Sequence, residues 1–361
     1  MGVGFYIFIF IIVFAINTFV PRAKNAWTRR FLLLLSLCVM LGMIGFRYKV
    51  GVDYDSYLKI YRDIEGGSLM HALKQNVDPM NSILFWTFSK IISVDYWIFF
   101  MYGIASILPL YLINRRFGHK FLNYSILTYC CLFLPFSLNG MMQGAAMSLI
   151  LFAFINMTDK RYKTTIILLL LAFLFHKSAL LVLPYFIIYL IFRKKNKHFI
   201  RANILCTVLI SIFILFFLGE FLMRYNTDFY GSYGYIINRI SIDRLSFTTT
   251  LFYLPIVVLA FISRNKKKDE GMGAQRSIIY SGAIYNFIGS SAQYLNRIAL
   301  YFMVFSVITT PYQLSVISDY KKRALLKIAL VTYLIAAFIV QVVVLEWHGI
   351  LPYQTWLFGV I

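Results

Sequence analysis

Four groups of residues in this chain carry side chains suited to proton transfer and to holding anions. The first is the run Phe46 to Tyr61, FRYKVGVDYDSYLKIY. It opens with Arg47, breaks at Gly51 and continues in the pattern of a short helix. On that helix Asp53, Tyr57 and Tyr61 share one face, and Asp55, Lys59 and Asp63 share another where they form an ion-pair ladder. Asp53 has no basic residue three or four positions ahead. Its carboxylate is therefore either a helix N-cap, a role that contributes about 1 kcal/mol, or a group facing a polar cavity, where it takes a proton from a hydroxyl.

The second group, Arg224 to Arg244, alternates guanidinium and phenol through Arg224, Tyr230, Arg239 and Arg244. Its tyrosines either form an interfacial belt or stack on sugar rings while the arginines hold phosphate oxygens, each charge-assisted bond contributing about 1.5–3 kcal/mol. In the third, Asn286, Ser290, Gln293, Arg297 and Tyr301 make a polar stripe at helical spacing, provided that the helix continues past Asn296. An arginine in hydrocarbon costs at least about 2.5 kcal/mol, so Arg297 faces a cavity or an anion, or snorkels from the helix end. The fourth comprises Asp78-Pro79, the dotted polar residues Asn139, Gln143 and Ser148, and His176, which sits beside Lys177 at a sharp reversal. These groups serve either in binding and proton transfer or as hydrogen bonds between helices.

What must position them is a membrane fold. Of the 361 residues 60% are hydrophobic and only 14% charged, and the mean hydropathy is +0.74, which excludes a water-soluble globular domain. Cys38, Cys130, Cys131 and Cys206 lie in apolar runs without zinc spacing. The net charge of +21 is concentrated: 24 of the 35 lysines and arginines fall in clusters at 22–30, 115–120, 160–163, 193–201, 264–276 and 321–327. With all six in the cytoplasm, no nucleic acid is needed to explain the charge.

Between these clusters, apolar segments near the roughly 20 residues that cross a bilayer fall at 3–20, 31–46, 94–113, 121–138, 139–157, 164–175, 177–192, 202–219, 248–263, 277–295, 298–317 and 328–345. The expectation is an all-α polytopic membrane protein of about twelve transmembrane helices, a single integral-membrane domain over 1–361 that starts outside. Its first segment is a retained anchor. The stretch 81–92 is too short to cross and reads as re-entrant or interfacial. The long outer loops are 47–80 and 220–247. Asp53 and Asp55 alone make a poor oxygen cage, so no metal is expected.

Arg47 with Gly51, Asp53, Tyr54 and Tyr57, then Asp78-Pro79, Asn139 to Ala146, Phe175 to Leu180 and Arg297 to Phe302 follow one another in an order that resembles the EpsG family of bacterial exopolysaccharide polymerases, a Wzy-like group. The resemblance runs to Pro352-Tyr353. One departure is Met142, where relatives carry arginine beside Gln143. The resemblance implies an inner-membrane glycosyltransferase whose active site faces the periplasm. It implies transfer of a growing glycan from undecaprenyl pyrophosphate to a sugar hydroxyl of the next lipid-linked unit, within the membrane lipid and with no cofactor and no nucleic acid; a chain-length regulator is a further expected partner. On this reading Asp53 and His176 are the candidate catalytic groups. Candidate substrate contacts are Arg47, Tyr54, Tyr57, Asp78, Asn139, Gln143, Arg224, Tyr230, Arg239, Arg244, Gln293, Arg297 and Tyr301. A flippase for the same lipid-linked sugar and a membrane O-acyltransferase using His176 are the competing expectations.

Overall fold

A computed structural model describes residues 1–75, 77–92, 94, 96–193, 196–218, 247–262, 270–289 and 293–358. In chain order its elements are α1 (Val3–Phe19), α2 (Ala26–Gly45), the short strand β1 (Arg47–Tyr48), α3 (Tyr54–Glu65), α4 (Leu69–Leu73), α5 (Pro79–Ile91), α6 (Trp97–Arg115), α7 (Leu122–Leu132), α8 (Leu134–Asn139), α9 (Met141–Thr158), α10 (Tyr162–Phe175), α11 (Leu183–Phe192), α12 (Asn196–Phe213), α13 (Thr248–Ile262), α14 (Glu270–Ile288), α15 (Gln293–Met303), α16 (Ser306–Ser315), α17 (Tyr320–Ile339) and β2 (Gln354–Thr355). The strands pair antiparallel, Arg47 opposite Thr355. The chain divides into two compact units, one of Met1–Ala179 with Ile317–Ile361, the other of Leu180–Val316.

The protein is an all-helical, multi-pass membrane protein. Among the described residues six stretches are long and apolar enough to cross: Val3–Arg22, Ala26–Gly45, Trp97–Arg115, Met141–Thr158, Lys197–Phe216 and Tyr320–Val344. The pair Leu295–Met303 and Ser306–Ser315, bent by 40°, would make a seventh. Shorter apolar helices, Leu122–Leu132, Tyr162–Phe175, Lys177–Phe192 and Thr248–Ile262, stand where other crossings were expected, so the described residues do not confirm the count of twelve; an apolar run records composition and not continuity. The run 121–138 is divided at Phe133, so α7 has only 11 residues. At 1.5 Å per residue such a helix reaches about half of a ~30 Å hydrocarbon layer. The stretch 277–295 also fails as one helix: α14 ends at Ile288, and the chain turns at Gly289 before α15 begins at Gln293. The polar stripe from Asn286 to Tyr301 is therefore split between two helices. The segment 47–80 holds the expected short helix as α3, followed by α4.

In the first unit the helices are strongly polarised end to end. Asn25 caps α2 by accepting the Thr28 N–H at 2.7 Å, and Asp319 caps α17 through the Lys322 N–H at 3.1 Å. Near these starts, Asn123 donates to Thr18 at 2.9 Å and Lys327 lies over the Tyr124 ring at 5.4 Å. Arg116 bonds Asp159 at 2.8 Å, joining the residues just past the ends of α6 and α9. His119 lies within electrostatic reach of Arg29 and Arg115; burial first, and then these two cations, hold its imidazole below the ordinary value. The basic clusters at 22–30, 115–120, 160–163 and 321–327 thus gather at one end of this unit. α2 runs antiparallel to α6, with Ser36 hydrogen-bonded to Tyr111 at 2.6 Å and Gly45 packed directly on the Phe100 ring. Arg47 consequently emerges at the opposite end.

The second unit is tied internally by a buried polar chain. The Tyr185 hydroxyl meets Thr207 at 2.8 Å and Tyr285 at 2.9 Å, linking α11, α12 and α14, while Thr309 of α16 donates to Gln275 at 3.2 Å. Such bonds hold helices together where lipid offers no polar partner.

Candidate active site

At the end of the first unit remote from the basic clusters, two groups of polar residues converge, and their physical character differs. One is built around Arg47. Its side chain is 1% exposed, its Cζ lies 4.5 Å from the Phe99 ring centroid and its Nη2 points at the Met141 sulfur at 3.8 Å. Nε and Nη1 have no hydrogen-bond partner. Burial pulls the guanidinium down to about 10, which still leaves it charged at neutral pH. Held by cation–π contact in an aromatic pocket, Arg47, expected as a pyrophosphate or sugar contact, is buried in this structure.

The same holds for Tyr54, which is 2% exposed and stacked on Phe99 at 4.5 Å. Its hydroxyl accepts from Trp356 Nε1 at 3.2 Å and donates to the Arg47 carbonyl at 3.4 Å. Asn139 also builds: its Oδ1 accepts the Asp53 N–H at 2.8 Å. This close approach needs Gly51, whose φ is +99° and whose added Cβ would lie 2.8 Å from the Leu138 carbonyl oxygen. From the other side the carboxy-terminal segment closes on the turn. Gly51 N–H donates to the Gly349 carbonyl at 3.0 Å and Val52 N–H to that of His348 at 3.2 Å.

Asp53 stands at the N-cap position of α3 without making a side-chain cap bond. Its carboxylate is half-buried, as is Tyr57 one turn on. Tyr61, in contrast, is buried, its hydroxyl reaching the Ile92 carbonyl at 3.4 Å. Among the described residues no ion pair joins Asp55, Lys59 and Asp63, which are exposed to solvent. The expected ladder is absent there, as screening and side-chain entropy cancel most of what a surface pair contributes.

The second group is Asp78, His176 and Lys177. Asp78 also precedes its helix, α5, without a side-chain cap bond. Its Oδ2 meets His176 Nδ1 at 3.2 Å and its Oδ1 lies 3.8 Å from Lys177 Nζ. A carboxylate only accepts, so Nδ1 carries the hydrogen and the neutral ring keeps its lone pair on Nε2. Side-chain exposures of 13% for Asp78, 27% for His176 and 38% for Lys177 leave the group accessible.

A buried clamp sets this geometry. Asn81, 0% exposed, donates from Nδ2 to the Phe175 carbonyl at 2.9 Å and accepts the Tyr102 hydroxyl at 2.6 Å. The first bond satisfies a carbonyl left over at the end of α10. Together they lock α5, α6 and α10, with Asp78 just before Pro79 on one side and His176 just past Phe175 on the other. Asn81, Tyr102 and Lys177 received no role from sequence. The Asp-Pro-x-x pattern ahead of an apolar helix hinted at Asn81; nothing in the sequence singled out Tyr102.

Gln143 is buried in α9. Gln293 opens α15, Arg297 is exposed on it and Tyr301 is buried, all in the second unit. Arg224, Tyr230, Arg239 and Arg244 lie outside the described residues.

Compared with known proteins, residues 30–355 match the model of the EpsG family. No curated protein and no solved structure matches the chain.

Proposed function

The chain belongs to the EpsG family, and on that premise we propose that it polymerises oligosaccharide units carried on undecaprenyl pyrophosphate, on the periplasmic side of the inner membrane. The family supports a membrane protein of polysaccharide biosynthesis working on a lipid-linked sugar. The finer reading is supported above all by the Asp78–His176 hydrogen bond of 3.2 Å, partly open at the end of its unit opposite the basic clusters. Basic clusters mark the cytoplasmic side, so the dyad belongs to the periplasmic one.

In this reading His176 Nε2 takes the proton of the acceptor sugar hydroxyl. The acceptor oxygen bonds to the anomeric carbon of the growing chain, and the bond from that carbon to pyrophosphate breaks. Asp78 orients the imidazole and stabilises it once protonated, the division of labour of a base and its orienting carboxylate. The half-exposed Lys177 ammonium is suited to the negative charge that builds on the leaving pyrophosphate. The half-buried Asp53 and Tyr57, at the start of α3, are our assignments for acceptor sugar contacts. Arg224, Arg239, Arg244 and Arg297 retain the guanidinium chemistry that suits pyrophosphate oxygens.

The test is purified protein in vesicles supplied with undecaprenyl-pyrophosphate-linked repeat units and resolved on a gel. A ladder of lengthening glycans with wild type, and single units with His176→Ala, is the expected result. Single units from both would refute polymerisation; a flippase would translocate units, and an acyltransferase modify them, without lengthening.

A further inference from the structure

Among the described residues eight have a left-handed φ. Gly118, His119, Lys160 and Glu346 follow the ends of helical segments, where one such residue is common. The other four, Lys49, Gly51, His348 and Gly349, fall in two facing segments whose backbones meet just ahead of Asp53. With φ of +71° at His348 and +58° at Gly349, two successive carbonyls turn toward the N–H groups of Val52 and Gly51. Beyond Gly349 the segment is held by ordinary bonds. The Tyr6 hydroxyl donates to the Ile350 carbonyl at 3.0 Å, that of Tyr353 to the Met43 carbonyl at 2.8 Å, and the Trp356 N–H to the Phe46 carbonyl at 2.9 Å. Anchoring the segment therefore does not require a left-handed histidine. The His348 ring stands edge-on to Phe136 at 5.5 Å, and Phe136 lies one turn before Asn139, which holds the Asp53 N–H. Residues kept in a sparse backbone region by surroundings that over-determine them gather at functional sites.

We propose that His348 and Gly349 are positioning residues of the acceptor site: their carbonyls fix the turn before α3 so that Asp53 is presented to the acceptor sugar hydroxyls. This rests on the assignment of Asp53 as an acceptor contact. Neither residue touches the sugar, and the backbone of His348, not its imidazole, carries the role. Three N–H groups in a row, those of Gly51, Val52 and Asp53, are held by segments far along the chain, His348–Gly349 from one side and Asn139 from the other. Without the two carbonyls the turn would hang on Asn139 alone. Preorganised contacts of this kind lower the ordering cost of binding, so their loss falls on acceptor affinity rather than on the chemical step.

The test uses full-length protein in vesicles, with the lipid-linked donor saturating and the carrier-free repeat unit varied as acceptor, beside hydrogen exchange of the peptide 50–57. His348→Val, whose branched side chain disfavours a left-handed φ, should raise acceptor KM about fivefold to tenfold, the loss of one hydrogen bond. Its kcat should be nearly unchanged, and exchange in the peptide should quicken. His348→Asn, whose side chain tolerates this φ, should stay near wild type in both measurements. Gly349→Ala places a methyl 2.9 Å from Val52 Cγ2 and should act like His348→Val, with Val52→Ala in the same chain restoring part of the loss; this pair decides if His348→Val does not fold. Equal losses in His348→Asn and His348→Val would mean that the imidazole acts, and an unchanged KM or exchange rate in His348→Val that the segment only packs. Either result overturns the proposal. Asp53→Ala separates the two levels. If it leaves acceptor KM unchanged, the assignment of Asp53 falls and takes this role with it; a raised KM there with none in His348→Val refutes the positioning role alone.

Discussion

The Arg47 pocket and the Asp78–His176 group lie at the same end of one unit, and both are formed where an α-helix ends and another chain segment closes over it. In the first, a cation is sealed among Phe99, Met141 and Tyr54 with two of its nitrogens unpartnered. In the second, a carboxylate and an imidazole meet at 3.2 Å with the ring still 27% exposed. The contrast separates two uses of polar residues in a membrane protein. A buried charge with no counter-ion sets packing and register; a partly exposed hydrogen-bonded pair with a spare lone pair can move a proton.

The largest effect that would sharpen this contrast is on the dyad. His176→Ala should lower polymer formation by at least about 100-fold, the range of a positioned general base, with the protein still folded in the membrane; chain-length analysis on gels reads it. Asp78→Asn should cost about tenfold or more, because an amide can turn to donate to Nδ1 and favour the wrong tautomer. Initial rates across pH check this, and an unchanged profile would leave Asp78 without a positioning role.

Next come effects on the frame. Gly51→Ala should destabilise the protein by about 1–3 kcal/mol, since an alanine at this positive φ is strained and its methyl would crowd the Leu138 carbonyl; thermal unfolding in detergent measures it. Arg47→Met should be milder, within about 1 kcal/mol, as an apolar side chain of similar length often replaces a buried charge without loss. The smallest effect lies at the far end, on His119. Its folded value sits below the ordinary 6.5, so the unfolded chain binds the proton first. Stability is therefore full above about pH 6.5 and is lost as pH falls from there toward the folded value. His119→Gln should flatten that part of the curve.

Composition and apolar runs revealed the all-helical membrane class, and the short α5 and the break at His176 were legible from length and from the polar residues between apolar runs. The number of crossings was not. Phe133 to Gly140 and Gly289 interrupt runs that hydropathy alone reads as continuous, because backbone direction depends on local caps and turns rather than on mean polarity. For the candidate site, the motif Arg47 to Tyr57 was visible as a motif, but nothing in it distinguishes a guanidinium inside the wall from one at a ligand. That depends on Phe99 and Met141, which lie far along the chain. Asp78 and His176 were each legible singly, while their pairing rests on the Asn81–Phe175 and Asn81–Tyr102 bonds, long-range contacts without a sequence pattern.

The most direct measurement of the central claim compares His176→Ala and Arg47→Met side by side in the reconstituted assay, with unfolding midpoints recorded on the same preparations. The predicted result is single repeat units from His176→Ala at an unchanged midpoint, and a full ladder from Arg47→Met. A normal ladder from His176→Ala, or polymer lost in a stably folded Arg47→Met, would contradict the division between frame and reactive group.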